Sequence, residues 1–288
     1  MTLLREPLAV GASAPFRAVL TADNHLCRFG ADEAAADPRL AEHAVGRASR
    51  FGLAEASFAE LRTLLSAPER DGELLLHAGD LADFASDANF AAARAFWNEN
   101  ARRPVLAAVG NHEFGRGFGV EDETPGRNAA LAPRVRAAWP NDPDFAELEH
   151  GGVLFVAMDD SLHRVSETQR KAFRRAAGRG LPVVLLLHAP VWEPSLGEVM
   201  LRRTGGYALY CLGASDAVVD AFQPAYAAAQ RADAPTRAFL EDLQATPNLR
   251  AVLAGHVHVF HRADLFPGVP QICTPPGFGG QAVELEFR

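Results

Sequence analysis

Six short apolar runs punctuate the chain, at residues 16–20, 73–76, 105–109, 152–157, 182–187 and 250–254. Most are continuous rather than alternating, the pattern of strands buried on both faces. Helical spacing fills several of the gaps. Phe58, Leu61, Leu64 and Leu65 share one helical face before Pro68 stops the run. Residues 91–97 read as a second helix, and Pro104 opens the strand after it. Ser166 and Gln169 have capping-box spacing, and the helix they open carries Arg170, Lys171, Arg174 and Arg175 on its wet face until Gly178. Strand and helix in alternation predict an α/β fold. Two stretches rich in glycine and proline, about 114–150 and 189–234, break the alternation and read as insertions with short helices. Residues 269–287 look like strands again, interrupted at Pro275, Pro276 and Gly277.

Charge and cysteine usage narrow the function classes. A net charge of −8 disfavours non-specific binding to duplex nucleic acid. No apolar run approaches the length that spans a bilayer. The first ten residues, with Arg5, Glu6 and Pro7, lack the basic start and apolar stretch of a signal peptide. Cys27, Cys211 and Cys273 form no CxxC, which sets aside a zinc ribbon or a disulfide scaffold and makes a reducing cytoplasm the expected compartment.

The chemistry stands at the ends of the strands, where open α/β sheets build their sites. After the first run come Asp23, Asn24 and His25; after the second, Gly79, Asp80 and, three residues on, Asp83. The third leads into Gly110, Asn111, His112 and Glu113, the fourth into Asp159, Asp160 and Ser161, the fifth into His188, and the sixth into Gly255, His256, Val257 and His258. Five of the ten histidines sit at these ends. Imidazole, carboxylate and amide together suit Mn, Fe or Zn rather than Ca or Mg. An extended Asp-x-His or His-x-His segment points both side chains to one face. The candidates are Asp23, His25, Asp80, Asn111, His188, His256 and His258, more than one zinc site needs; they suit two ions if one carboxylate bridges them. Their scatter from residue 23 to 258 predicts one domain over 1–288.

The order Asp23-x-His25, Gly79-Asp80, Gly110-Asn111-His112-Glu113, His188, Gly255-His256-x-His258 resembles the calcineurin-like metallophosphoesterase superfamily. The run Gly79-Asp80-Leu81-Ala82-Asp83, with Asp160-Ser161 and Gln169, is similar to its class III cyclic-nucleotide phosphodiesterase branch. Asp83 stands where purple acid phosphatases carry a metal-binding tyrosine, which speaks against that branch. The resemblance implies a four-layer αββα sandwich and two divalent or trivalent transition-metal ions. It implies Asp23, His25, Asp80 and His258 on one ion, and Asp80, Asn111, His188 and His256 on the other. It further implies hydrolysis of a small phosphate ester, a diester first and a monoester second, by a metal-bridging hydroxide, with His112 as proton donor to the leaving group. A non-catalytic scaffold of the same fold is the alternative from another class. Glu113 in place of the usual Asp, and Ala189 where a second His often follows, are departures that bear on substrate preference.

Other residues carry weaker expectations. Asp83 reads as a carboxylate behind the ligands, and Asp159 and Asp160 as turn residues. His43, His77, His150, His163 and His261 read as structural. In the second insertion, Arg202, Arg203 and Tyr207, with Trp192 and Tyr210 nearby, are candidates to bind substrate.

Overall fold

A computed structural model describes residues 1–115, 124–222 and 230–288. Each of the six apolar runs forms a strand. In one sheet, β2 (Phe16–Thr21), β3 (Leu74–Ala78) and β4 (Val105–Ala108) lie parallel. Two terminal strands that the apolar runs did not reveal or only suggested complete it: β1 (Thr2–Leu8) and β11 (Gln281–Phe287), in the order β1-β11-β2-β3-β4. The second sheet runs β5-β6-β7-β8-β10-β9, from β5 (Phe145–His150), β6 (Val153–Met158), β7 (Val183–Leu186), β8 (Leu249–Ala254), β9 (His261–Phe266) and β10 (Val269–Cys273).

The continuous apolar strands bury a different core on each face. Ala18, Leu20, Leu74, Leu76, Leu106 and Ala108 point between the sheets, where they meet Val153, Phe155, Val184, Leu186, Ala251 and Leu253 of the other sheet. The intervening Val19, Leu75 and Ala107 face outward onto α3 (Ala54–Leu65) and α4 (Asp87–Glu99), through Phe58, Leu61, Phe90 and Phe96. Leu154, Val156, Leu185 and Val252 do the same with α6 (Glu167–Ala177) and a helix at Ala234–Ala245, through Phe173 and Phe239. Helix, sheet, sheet, helix is the expected four-layer order. The Ser166–Gln169 capping box is present, with Gly178 ending the helix.

The stretch 114–150 departs from the expectation of short helices. It holds α5 (Pro125–Ala138), which packs Leu131 and Val135 beside α4, and the edge strand β5. Pro125 sits in the first helical turn, where a missing N–H costs nothing, so proline density there marks a helix start rather than a loop. Residues 116–123 of this stretch and 223–229 of the second lie outside the described residues. The second stretch contains a helix at Pro194–Thr204 and folds Leu196, Met200, Leu209 and Cys211 against Val257 and Cys273. It therefore packs directly beside the His256-x-His258 loop.

Phe155 interlocks the sheets: its ring meets Phe16 at 6.2 Å and Phe287 at 5.3 Å, both on the opposite sheet. Phe155→Ala is expected to cost about 3–5 kcal/mol. Urea unfolding is the check, with a lowered midpoint at unchanged slope; a loss below ~1 kcal/mol would contradict this interlocking.

Candidate metal centre

The parallel strands of both sheets end at one edge of the sandwich, and cross-sheet bonds tie the ends together. Past β7, His188 Nδ1–H donates to the carbonyl of Ala78 at the end of β3 (2.7 Å). Past β8, the backbone N–H of His256 donates to the carboxylate of Asp23, which follows β2 (3.0 Å). Each apolar strand thus delivers its terminal polar residues to one small volume.

The chain turns sharply to do so. Asp23, His25, Asp80, His256 and His258 all have left-handed backbone, with φ between 50° and 67°. Only two other non-glycine residues among those described share it, His163 and Tyr210. Such backbone costs roughly 1–3 kcal/mol per residue and concentrates at functional sites. The expected extended Asp-x-His and His-x-His segments are therefore replaced by left-handed turns, which also bring the alternate side chains together. Asn111 is likewise helical, at φ −69° and ψ −26°, and opens a short 3-10 turn over His112–Phe114. This turn, not strand alternation, separates His112 from Asn111.

Two clusters gather the expected ligands, and a third group of potential ligand atoms joins His25 to Asp83 and His112. In the first, His258 Nε2 lies 3.0 Å from His25 Nε2 and 3.3 Å from Asp23 Oδ1. In the second, His188 Nε2 lies 3.1 Å from Asn111 Oδ1 and 3.3 Å from Asp80 Oδ2, and His256 joins Asp80 and His188 in one group of potential ligand atoms. Asp80 Oδ2 is also 3.7 Å from His25 Nε2, so one oxygen reaches both clusters. That oxygen is buried and makes no hydrogen bond of good geometry, its nearest nitrogen being His188 Nε2 at 3.3 Å, while Asp80 Oδ1 accepts the N–H of His112 (3.0 Å). A charged oxygen buried without a donor is the condition a cation relieves. All seven expected ligands converge here, and their nitrogen and oxygen donors fit transition-metal ions.

Charge accumulates accordingly. Burial disfavours the imidazolium of His188, yet Asp80, Asp23 and Asp160 outweigh it and raise its pKa to about 10. Burial likewise opposes ionisation of Asp80, but His188 and His112 hold its carboxyl well below the usual range.

A ring of further groups fixes these candidate ligands. His25 Nδ1–H donates to Asp83 Oδ1 (2.9 Å), which leaves Nε2 facing the cluster. Asp83 Oδ2 accepts from Arg47 (2.9 Å) and meets His43 Nε2 (2.9 Å), both on the helix Arg39–Phe51. Phe51 of that helix stacks on the His25 ring at 4.5 Å. Glu113 accepts the N–H groups of Asp80 (3.0 Å), Ala82 (2.9 Å) and Gly110 (2.7 Å). Asp160 does more than close a turn: it accepts the N–H groups of His188 (2.9 Å) and Ala189 (3.0 Å). Asp159 keeps the expected turn role, bonding the N–H of Ser161. His163, read from the sequence as structural, instead places Nε2 3.1 Å from His256 Nε2. His43, Arg47 and His163 lie outside every sequence motif; the strand-end position of Asp160 and the Asp160-Ser161 pair of the branch resemblance were the signals for its loop. His77 is a core residue, its Nε2–H donating to Asn24 Oδ1 (2.9 Å) and its Nδ1 accepting from Gly79.

The second stretch reaches this centre unevenly. Arg203 donates to the carbonyl of His258 (3.2 Å), and Tyr210 meets the His256 ring edge-on at 5.1 Å. Tyr207 is exposed, and Arg202 is an exposed side chain paired with Glu198.

A family model described as calcineurin-like phosphoesterase matches residues 16–260. The chain belongs to this family. No curated protein sequence matches this calcineurin-like phosphoesterase. Among solved structures, it is similar to a dimetal phosphatase from Danio rerio at 15% identity and TM-score 0.46, over 91% of this chain and 88% of that one. Similarity extends to the phosphopantetheinyl hydrolase PptH from Mycobacterium tuberculosis, at 16% identity and TM-score 0.41, over 94% and 90% of the two chains. The purple acid phosphatase PPD1 from yellow lupin matches at 14% identity and TM-score 0.49, over 96% of this chain and 44% of that one. Membership implies metal ions, and these clusters are the candidate places for them. No helix among the described residues is long and apolar enough to cross a membrane.

In this calcineurin-like phosphoesterase, Gly110 is required for space. A Cβ there would lie 2.0 Å from Asp80 Oδ1 and 2.7 Å from the Asp80 nitrogen. Gly110→Ala must displace the carboxylate shared by the clusters. Metal affinity is expected to fall at least about 10–100-fold, the range for losing a ligand's support, with far-UV circular dichroism unchanged. Wild-type metal content in the variant would contradict that tight approach.

Proposed function

We propose that the protein is a dinuclear metal-dependent hydrolase of small phosphate esters, with phosphodiesters as the preferred class. The observation that carries the reading is Asp80 Oδ2, buried, without a donor, and within reach of His25 on one side and His188 on the other. Asp23, His25, Asp80 and His258 would hold one ion, and Asp80, Asn111, His188 and His256 the other. When bound, two such ions polarise a phosphate ester and acidify a water toward a pKa of about 7; the donor set suits Mn, Fe or Zn. The diester preference is supported by the Gly79–Asp83 run, in which Asp83 holds His25. Three free cysteines support a cytoplasmic setting.

His112 is the proton donor in this reading. Its Nδ1–H is committed to the carbonyl of Asp83 (2.8 Å), and its backbone N–H to Asp80. Both bonds hold the ring with Nε2 3.9 Å from Asp80 Oδ2; the ring also groups with His25 and Asp83, and in this reading it stays off the ions. With Nδ1–H committed, Nε2 delivers a proton from the imidazolium form. Asp83 thus supports two histidines, His25 through its carboxylate and His112 through its carbonyl. Arg203, held at the His258 carbonyl, is the best placed of the expected substrate residues, with Tyr207 and Arg202 on the same segment.

Three results are expected. Asp80→Ala removes a ligand from both clusters, so elemental analysis should find both ions depleted and activity lost; two full equivalents would contradict the bridge. The metal-loaded protein should hydrolyse bis(p-nitrophenyl) phosphate faster than p-nitrophenyl phosphate; the reverse ranking would make it a monoesterase, and turnover of neither would make it a scaffold. His112→Ala should keep its metals and lose about 10²–10⁴ in rate on alkyl esters, whose leaving groups need a proton, but clearly less on nitrophenyl esters. Equal losses on both would reject the acid role.

A further inference from the structure

His163 lies in the loop that follows β6, a strand end that contributes no expected ligand, yet it is 2% exposed and touches the second cluster. Its backbone is left-handed, at φ 55°, a conformation otherwise confined, among described non-glycine residues, to five ligands and Tyr210. The loop is tied down on both sides. His163 N–H donates to the Asp160 carbonyl (2.7 Å), and the Asp160 carboxylate takes the N–H groups of His188 and Ala189. Asn128 of α5 donates to Ser161 Oγ (2.9 Å). The loop therefore grips the backbone of one ligand of the second cluster while presenting an imidazole to another.

Imidazole faces imidazole at this contact: His163 Nε2 and His256 Nε2 are 3.1 Å apart, with ring centroids at 5.0 Å. The potential ligand atoms of Asp80, His188 and His256 fall within one 4.8 Å group, and His163 is not a member of that group. An imidazole offers one lone pair and one N–H when neutral. If Nε2 of His256 is bonded to His163, the other ring nitrogen remains for an ion.

We propose that His163 is a positioning residue for the second metal site, accepting the Nε2–H of His256 and so fixing the tautomer and ring orientation in which His256 binds through Nδ1. This rests on the dinuclear reading above. The proton count closes: His256 carries its proton on Nε2, and His163, whose Nε2 accepts, carries its own on Nδ1. Metal-bound histidines regularly hand their second nitrogen to an acceptor, commonly a carboxylate, a carbonyl or a water. Here the partners differ between sites. His25 is backed by the Asp83 carboxylate and His188 by the Ala78 carbonyl, whereas His256 is backed by a neutral ring. A neutral acceptor enriches the ligand less than a carboxylate does, so the second site is the weaker of the two and fills last.

The test is a Mn²⁺ binding isotherm on the full chain, read from the EPR signal of free Mn²⁺, for wild type, His163→Leu and His163→Gln. Wild type should bind two ions in two steps. His163→Leu should weaken the second step about 10–100-fold, the usual cost of losing such a partner, and leave the first unchanged. His163→Gln, whose side-chain oxygen accepts the same N–H, should recover most of the loss. Equal weakening of both steps, or an undisturbed second step in His163→Leu, would overturn the assignment, as would a glutamine variant no better than leucine. Fewer than two ions on the wild type would overturn the dinuclear reading and this assignment with it. A second measurement needs no variant. In the Zn²⁺-loaded wild type, imidazole ¹⁵N shifts should show His256 metallated at Nδ1 and protonated at Nε2. A metallated His163 would make it a ligand and overturn the positioning role.

Discussion

Asp80 Oδ2 sits buried at the junction of two sheets, with no donor and with the nitrogens of His25, His188 and His112 at 3.7, 3.3 and 3.9 Å. Keeping a carboxylate charged in such a place costs on the order of several kcal/mol unless cations answer it. Much of the molecule is arranged around that one atom. The other oxygen of Asp80 is taken by the His112 N–H, and Glu113 holds the Asp80 backbone, so the side chain has little freedom to turn away. Gly110 has no side chain because the carboxylate occupies the space where one would begin.

The rigid part of the fold bears the cost of this arrangement. Five of the candidate ligands sit in left-handed backbone, each roughly 1–3 kcal/mol uphill. Strain of that kind persists only where the surroundings over-determine it. Here those surroundings are strands with both faces buried, Leu74 and Leu76 against one core and Leu75 against another. The helix Arg39–Phe51 and the Asp160–His163 loop then act as two braces. The first holds His25 through Asp83, and the second holds His188 and, by proposal, His256.

How much of this was legible in the sequence depended on the physics of each feature. Strands buried on both faces appear as unbroken apolar runs, so β2, β3, β4, β6, β7 and β8 were readable to within a residue or two. The seven candidate ligands could be picked out because few residue types bind metals and each stands at a strand end. Half-exposed edges were harder: β1 and β5 mix half-buried and exposed positions, with charges such as Glu6 and Glu147 among them. Left-handed turns at Asp23 and His256 leave no composition signal when the residue is not glycine, so the local geometry was expected to be extended and is not. His43, Arg47 and His163 were invisible for another reason. Each acts through a partner distant in sequence, and a lone histidine or arginine reads the same whether it faces solvent or a ligand.

Everything therefore turns on whether a single oxygen serves two ions. Anomalous diffraction from crystals of the Mn-loaded protein, collected at the Mn edge, measures this directly. Two peaks about 3.5–4 Å apart are expected, with Asp80 Oδ2 within bonding distance of both. One peak, or two peaks with Asp80 bound to only one of them, would contradict the shared carboxylate on which the centre is built.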